Sequence, residues 1–229
     1  MEKQLKMVVF DMAGTTVNEN NVVYKTLRNA INEAGHNFSL DEVLAEGAGK
    51  EKKQAIRSVL KTYGNIEDEE LTQQIYGNFI TQLTAAYAIE DILPQPNAIE
   101  LFTALKEREI LTVLNTGYDR ATAQSIIDKL GWKEGVDFDG LVTASDVSLN
   151  RPDPAMIHFA MKRFNITDSA EVVKVGDSII DIEEGQNAGC SLSIGITTGA
   201  HTATQLESAH PDMIIGNLID LLLLINPKN

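Results

Sequence analysis

The stretch that most limits what this chain can fold into is residues 7–17, Met-Val-Val-Phe-Asp-Met-Ala-Gly-Thr-Thr-Val. Residues 7–10 are a short apolar run between a charged segment and a Gly-Thr-Thr loop, the pattern of a strand buried on both faces. Coming first, such a strand is expected at the centre of a parallel sheet. It delivers Asp11 to its C-terminal end, where open α/β sheets bind ligands. Gly14 permits a sharp turn, and Thr15 and Thr16 are expected to set hydroxyls and N–H groups beside the carboxylate. An aspartate so placed has two uses: it attacks phosphorus, and its second oxygen binds a hard cation. The ordinary alternative is an aspartate that caps a turn.

After Val17 the strand pattern stops and about 75 residues of helical character follow. Apolar positions spaced near 3.6 predict a helix over 21–34, closed by Gly35. Ser39-Leu-Asp-Glu reads as a capping box opening a short helix to 46. Further helices are predicted over 50–63 and 68–87. Lodged directly after the first strand, these helices are expected to form a cap that closes over the site and excludes water.

From residue 93 the rhythm alternates. Strands are predicted at 111–114, 139–143, 172–175, 191–196 and 212–215. Helices are predicted at 97–107, 120–130, 154–164 (capped by Asp153), 179–188 and 218–225. This is an α/β pattern of βαβ units, hence a doubly wound, Rossmann-like parallel sheet. The expected division is a core of 1–17 and 93–229 with a helical cap of 18–92.

Composition narrows the function classes. With 229 residues, 43% of them hydrophobic, the chain can bury one core and a smaller satellite. No apolar run approaches the roughly 20 residues that span a bilayer, residues 1–6 lack the apolar segment of a secretory signal, and Cys190 is the single cysteine. A cytoplasmic protein is expected, with no membrane partner. The net charge of −14 argues against nucleic acid, and it means that any phosphate site must be made positive locally. Monomer and homodimer are equally compatible with the sequence.

Four polar clusters follow predicted strands or their loops: Asp11, Asn115-Thr-Gly-Tyr118, Arg151, and Gly176-Asp177 with Asp181. In a parallel sheet all strand C-termini lie on one edge, so these groups converge. Together they supply what phosphoryl transfer needs. Asp11 is the candidate nucleophile, and Thr116 and Gly117 offer a hydroxyl and an unhindered N–H to phosphoryl oxygens. Arg151 offers a forked charge matched to phosphate. Asp177 joins Asp11 in holding Mg²⁺, and Asp181, one helical turn on, faces the same ion or its waters. Each group alone has a structural reading as a turn hydroxyl, surface charge or helix cap. Their recurrence at four strand ends favours the chemical one. His36, His158, His201 and His210 show no metal-ligand spacing and are expected to be packing or surface residues.

These segments resemble the four motifs of the haloacid dehalogenase superfamily of Mg²⁺-dependent phosphohydrolases, with the helical insertion where that superfamily carries its first cap. Asp-Met-Ala-Gly-Thr-Thr-Val, Asn-Thr-Gly-Tyr, Asp-Val-Ser-Leu-Asn-Arg-Pro-Asp-Pro and Lys-Val-Gly-Asp-Ser-Ile-Ile-Asp are similar to its phosphonatase branch. The resemblance implies an aspartyl-phosphate on Asp11 and a small organic phosphonate or phosphate as substrate. Most phosphatases of the superfamily carry an acid/base aspartate two residues after the nucleophile. Here that position is Ala13, whose methyl transfers no proton but whose carbonyl can still bind Mg²⁺. In the phosphonatase branch carbon leaves as an enamine after a cap lysine forms a Schiff base. Lys52 matches that lysine and falls on the apolar face of its helix, with Ala55, Ile56, Val59 and Leu60. The branch's cap histidine and methionine are Ala55 and Ala48 here. A lysine snorkelling over a core helix is the alternative. Gly49, Lys52 and Tyr118 are expected to face the substrate from the cap side. Two other classes remain in view. Ala13 argues against a sugar phosphomutase, and joint retention of Asp11, Thr116, Arg151 and Asp177 argues against a non-enzymatic phosphate-binding module.

Overall fold

In a computed structural model, which describes residues 4–225, β1 (Met7–Asp11) is buried along its whole length. Residues 1–3 and 226–229, which fall in the expected core and the N-terminal segment read above, lie outside the described residues. β1 runs parallel between β4 (Leu111–Thr116) and β6 (Val172–Gly176). With β5 (Gly140–Thr143), β7 (Leu192–Ile196) and β8 (Met213–Ile215) they make a six-stranded parallel sheet, ordered β5-β4-β1-β6-β7-β8.

The burial of both faces follows from the strand's side-chain alternation. Val8 and Phe10 join one apolar cluster with Leu101, Phe102 and Leu105 of α5 (Ala98–Glu107) and Ile126 of α6 (Arg120–Leu130). Met7 and Val9 join the other, with Met156, Ile157 and Ala160 of α7 (Ala155–Arg163). Each Val, Leu, Ile, Phe or Met side chain so withdrawn from water contributes about 1.5–3 kcal/mol. α8 (Ile179–Ala188) follows β6 and ends at Gly189.

The helical block comprises α1 (Val22–Glu33), α2 (Leu40–Gly47), α3 (Lys52–Gly64) and α4 (Glu69–Ile89). The predicted capping box opens α2: Ser39 Oγ accepts from Glu42 N while Glu42 accepts from Ser39 N. α3 begins two residues later than predicted because Glu51 caps it, accepting from Lys53 N and Gln54 N. That keeps Lys50 in the preceding loop and makes Lys52 the first helical residue. Asp153 accepts from Ala155 N, but Pro154 holds the cap position of α7.

Three features depart from the predicted pattern. A ribbon of β2 (Val17–Asn18) and β3 (Leu93–Pro94) carries the chain into and out of the helical block; two-residue strands are too short to show alternation. A helix, α9 (Ala203–Glu207), is opened by Thr202 and Gln205. The predicted helix over 218–225 is a 3-10 turn at Leu218–Asp220 followed by α10 (Leu221–Leu224). No helix among the described residues is long and apolar enough to cross a membrane.

Candidate active site

Asp11 closes β1 and Thr116 closes β4, while Asp177 follows β6 directly, so the expected clusters meet at one sheet edge. Asp11 Oδ1 accepts from Arg151 Nη1 at 2.7 Å. Arg151 itself is 1% exposed. Its Nε donates to Glu184 Oε2 at 2.9 Å, and its Nη2 donates to the Asn115 backbone oxygen at 2.9 Å and to the Asn115 side-chain oxygen. Nη1 also reaches Gly49 O at 3.3 Å and lies 2.9 Å from Asp181 Oδ1. The sequence suggested a fork open to phosphate. The structure instead turns most of the fork inward, onto Asn115 and Glu184, and leaves one nitrogen against the Asp11 carboxylate.

Asp11, Asp177 and Asp181 each offer an oxygen, and the three oxygens lie within 4.8 Å of one another. Thr15 Oγ1 donates to Asp177 Oδ1 at 3.2 Å and Ala200 N donates to Oδ2 at 2.6 Å. Thr15 therefore orients Asp177 rather than Asp11. Thr16 turns to the backbone, donating to Asp11 O at 2.9 Å, and the N–H groups of both threonines bond to Met12 O. Gly14 makes this packing possible: its φ is 88°, and a Cβ there would overlap the Asp177 carboxylate. Ala13 forms a backbone bridge with Val17.

The charges of the triad conflict. Burial, then the charge of Asp181, pushes Asp11 above its ordinary range against the opposing pull of Arg151 and Lys174. Burial, then Asp11 and Asp181, pushes Asp177 well above it. Asp181 is also penalised by burial, but Arg151 and Lys174 together outweigh that and hold it low. Its Oδ1 is buried with no well-formed hydrogen bond, although both cations stand at 2.9 Å. Three converging carboxylates are a hard donor set that fits a divalent cation.

Two residues behind the triad were not singled out from sequence. Lys174 lies wholly buried within β6, its Nζ donating to Asn115 Oδ1 at 2.7 Å and lying 3.2 Å from Glu184. Glu184 also accepts from Asn115 Nδ2 at 3.0 Å. The signal was present: a lysine inside Val-Val-Lys-Val needs a buried partner, and Glu184 stands three residues beyond Asp181 on the same helix. His201 was expected to be ordinary packing. It is buried beside the site, its ring Nδ1 accepting from Ile179 N at 3.0 Å and its backbone N–H donating to Asp177 O.

The helical block seals the opposite side. Gly49, at φ 72°, lies so close to Ser178 and Ile180 that a Cβ would overlap both, and its N–H donates to the Tyr24 hydroxyl at 2.9 Å. Gln54 Nε2 donates to Arg151 O at 3.2 Å. A Cβ on Gly117 would stand 2.7 Å from Lys50 O, so the loop bearing Gly117 abuts the loop before α3. Thr116 Oγ1 accepts from Tyr118 N at 3.2 Å. Lys52 is buried rather than snorkelling. Its Nζ donates to Lys50 O at 3.0 Å and stands 5.0 Å from the ring centre of Tyr118 and 5.3 Å from that of Tyr24. Burial depresses its pKa, against the pull of Asp11 and Glu51. A groove of about 430 Å³ between α4 and α6 is lined by Leu83, Tyr87, Ile92, Asp119 and Lys129 and by none of the expected site residues.

A parallel sheet with a buried carboxylate triad, an arginine against the first aspartate and a helical lid defines a hydrolase of the phosphatase and phosphonatase kind. The model of the haloacid dehalogenase-like hydrolases matches residues 5–189, and the chain belongs to that family. It is 31% identical over 205 residues to a phosphonoacetaldehyde hydrolase of Latilactobacillus sakei, covering 84% of this chain and 75% of that protein. It is 26% identical to a probable phosphatase, IndB, of Dickeya dadantii, covering 94% and 91%. Among solved structures, a phosphonoacetaldehyde hydrolase-like protein from Oleispira antarctica superposes with a TM-score of 0.83 at 21% identity, covering 98% of this chain and 92% of that one. At that identity the likeness speaks for the fold.

Proposed function

We propose that this chain is a Mg²⁺-dependent phosphohydrolase that works through an aspartyl-phosphate on a small organic phosphonate or phosphate. The observation that carries this reading is the contact between Arg151 and Asp11 at the edge of the carboxylate triad. Asp11 is the nucleophile: one carboxylate oxygen attacks phosphorus, the leaving group departs, and water then cleaves the acyl phosphate. Arg151 fixes the Asp11 carboxylate and adds positive charge where the phosphoryl group lands. Thr116 and the Gly117 N–H bind the phosphoryl oxygens. Asp11, Asp177, Asp181 and the Ala13 carbonyl would hold Mg²⁺, which supplies charge neutralisation for an anionic substrate. The helices of 18–92 act as the cap of a core made of 1–17 and 93–229, with Gly49, Lys52 and Tyr118 facing the substrate.

A second reading, hydrolysis of phosphonoacetaldehyde itself, is favoured by Lys52. A buried amine resting on two rings, its pKa lowered by burial, is suited to attack an aldehyde as the neutral base. Carbon–phosphorus cleavage through a Schiff base also removes the need for an acid at Ala13. Similarity to the phosphonoacetaldehyde hydrolase of Latilactobacillus sakei supports it.

A phosphate-release screen separates the readings. It contains phosphonoacetaldehyde and common phosphomonoesters, each with Mg²⁺ and with excess chelator. Chelator-sensitive release supports the hydrolase, and full activity in chelator contradicts it. If phosphonoacetaldehyde is the substrate, borohydride traps an adduct on Lys52 and Lys52→Arg abolishes turnover, because guanidinium stays protonated. Esterase activity that survives Lys52→Arg, with no adduct, excludes the second reading.

A further inference from the structure

Glu19 has no place in the chemistry above, yet it is a carboxyl only 2% exposed at the start of the helical block. One duty is local: its Oε2 accepts from Val23 N at 2.8 Å in the first turn of α1. The same oxygen also accepts from the Tyr87 hydroxyl at 3.2 Å, near the far end of the block. Tyr87 in turn shares a hydrogen bond of 2.8 Å with the hydroxyl of Tyr118, on the loop after β4. A helix cap alone requires neither tyrosine. The chain of bonds joins the entrance of the helical block, its exit and the core loop that carries Thr116 and Gly117.

The far end of this chain is the ring on which Lys52 rests. Lys52 Nζ lies 5.0 Å from the Tyr118 centre and 5.3 Å from the Tyr24 centre. Both rings are pinned at their hydroxyls, Tyr24 by Gly49 N–H and Tyr118 by Tyr87. We propose that Glu19 is a positioning residue for Lys52: through Tyr87 and Tyr118 it fixes the ring beneath the amine. The consequence for turnover rests on the hydrolase reading above, whereas the effect on the amine does not.

The surrounding charges set the sign. Burial lowers the Lys52 pKa most; Asp11 of β1 and Glu51 at the head of α3 favour its charged form, Arg151 opposes it, and Glu19 adds the smallest of these pulls, toward the charged form. Burial raises the Glu19 pKa to about 7, against donors from Val23 and Tyr87 and the charges of Lys52 and Lys25, so its charge acts on Lys52 as pH rises through about that value. Removing the Glu19 charge therefore makes Lys52 give up its proton more readily. Loss of the Tyr87 hydroxyl acts in the same direction, because Glu19 then stays protonated over a wider range.

The test needs no substrate. The intact protein is reductively methylated with ¹³C-formaldehyde across a pH series, and the labelling of each lysine is read by mass spectrometry. Glu19→Gln should lower the labelling midpoint of Lys52 by a few tenths of a pH unit, about twofold in rate at fixed pH. Glu19→Asp should restore part of the shift. Lys53, which faces the Tyr76 ring at 4.9 Å on the same helix, should not move in any variant. If Glu19→Gln does not fold, Tyr87→Phe serves instead, with a smaller shift of the same sign. An unchanged Lys52 midpoint in a folded Glu19→Gln or Tyr87→Phe protein overturns the proposal, as does an equal shift at Lys53. A failed phosphate-release screen would leave this titration untouched, so the two readings fail separately.

Discussion

Arg151 Nη1 donates to Asp11 Oδ1 at 2.7 Å although 140 residues separate the two in the chain. The guanidinium is held in place by Glu184 and Asn115, and those by Lys174. The site thus has a floor: a buried network that positions one cationic nitrogen against the carboxylate proposed to attack phosphorus. Burial costs each of these charges solvation, so the network is stable only while its members stay paired.

Arg151→Lys keeps a positive charge but loses the planar fork that bonds Asn115 and Glu184 together. Turnover is expected to fall by about 100-fold or more, equivalent to about 2.7 kcal/mol of barrier. The melting temperature should fall as well, because Glu184 is left buried with a weaker partner. Initial rates and thermal melts on one preparation check both, and a kinetically silent variant would remove Arg151 from the site.

Gly49→Ala tests the closed arrangement of the cap. The residue has a positive φ and no room for a Cβ beside Ser178 and Ile180, so the loop before α3 must withdraw from the core. Solvent access to Asp11 and Lys52 should rise, with faster hydrogen exchange in residues 47–54 and lower kcat/KM. Unaltered exchange would mean that the loop accommodates the methyl without opening.

Metal binding should depend on pH. In the metal-free protein burial, then repulsion by Asp181, raises Asp11, and burial, then repulsion by Asp11 and Asp181, raises Asp177, so protons compete with a cation for those oxygens. Adding Mg²⁺ should therefore raise the melting temperature more at pH 8 than at pH 6. Asp177→Ala should abolish most of that increment. An equal increment at both pH values, or one that survives Asp177→Ala, would place the cation elsewhere.

Glu19 makes a separate contribution to acid stability. Its folded pKa, about 7, lies above its ordinary value of 4.5, so the folded state binds the proton more tightly. The resulting stability is present below about pH 4.5 and is lost as pH rises through about 7, at most about 3 kcal/mol in all. Urea melts of Glu19→Gln should show a flatter stability profile across that window than the wild type. A profile of unchanged slope would mean that the Glu19 pKa is not raised in the fold.

Much of the fold was legible because it rests on short-range rules. The run Met-Val-Val-Phe announced a strand buried on both faces, and the residues after each strand carried the polar groups that now meet. Asp11, Asp177 and Asp181 were readable together because a parallel sheet puts all strand ends on one edge. What was not legible depends on contacts across long separations. Nothing local distinguishes Thr15, which orients Asp177, from Thr16, which folds the turn. The inward turn of Arg151 depends on Glu184, 33 residues away. The β2–β3 ribbon is made by two residues meeting two others from across the whole helical block. Lys52 could be placed on the apolar face of α3 by periodicity, but its aromatic partners come from α1 and from the loop after β4.

The central claim is that Asp11 attacks phosphorus, and Asp11→Asn tests it most directly. The substitution keeps the shape of the side chain while removing the attacking charge and a cation ligand. Phosphate release is measured for the wild type and the variant on the best substrate of the screen, with melting curves to show that the variant is folded. The account predicts loss of more than about 1,000-fold, or about 4 kcal/mol of barrier. A folded Asp11→Asn protein that retains a tenth or more of the wild-type rate would contradict it.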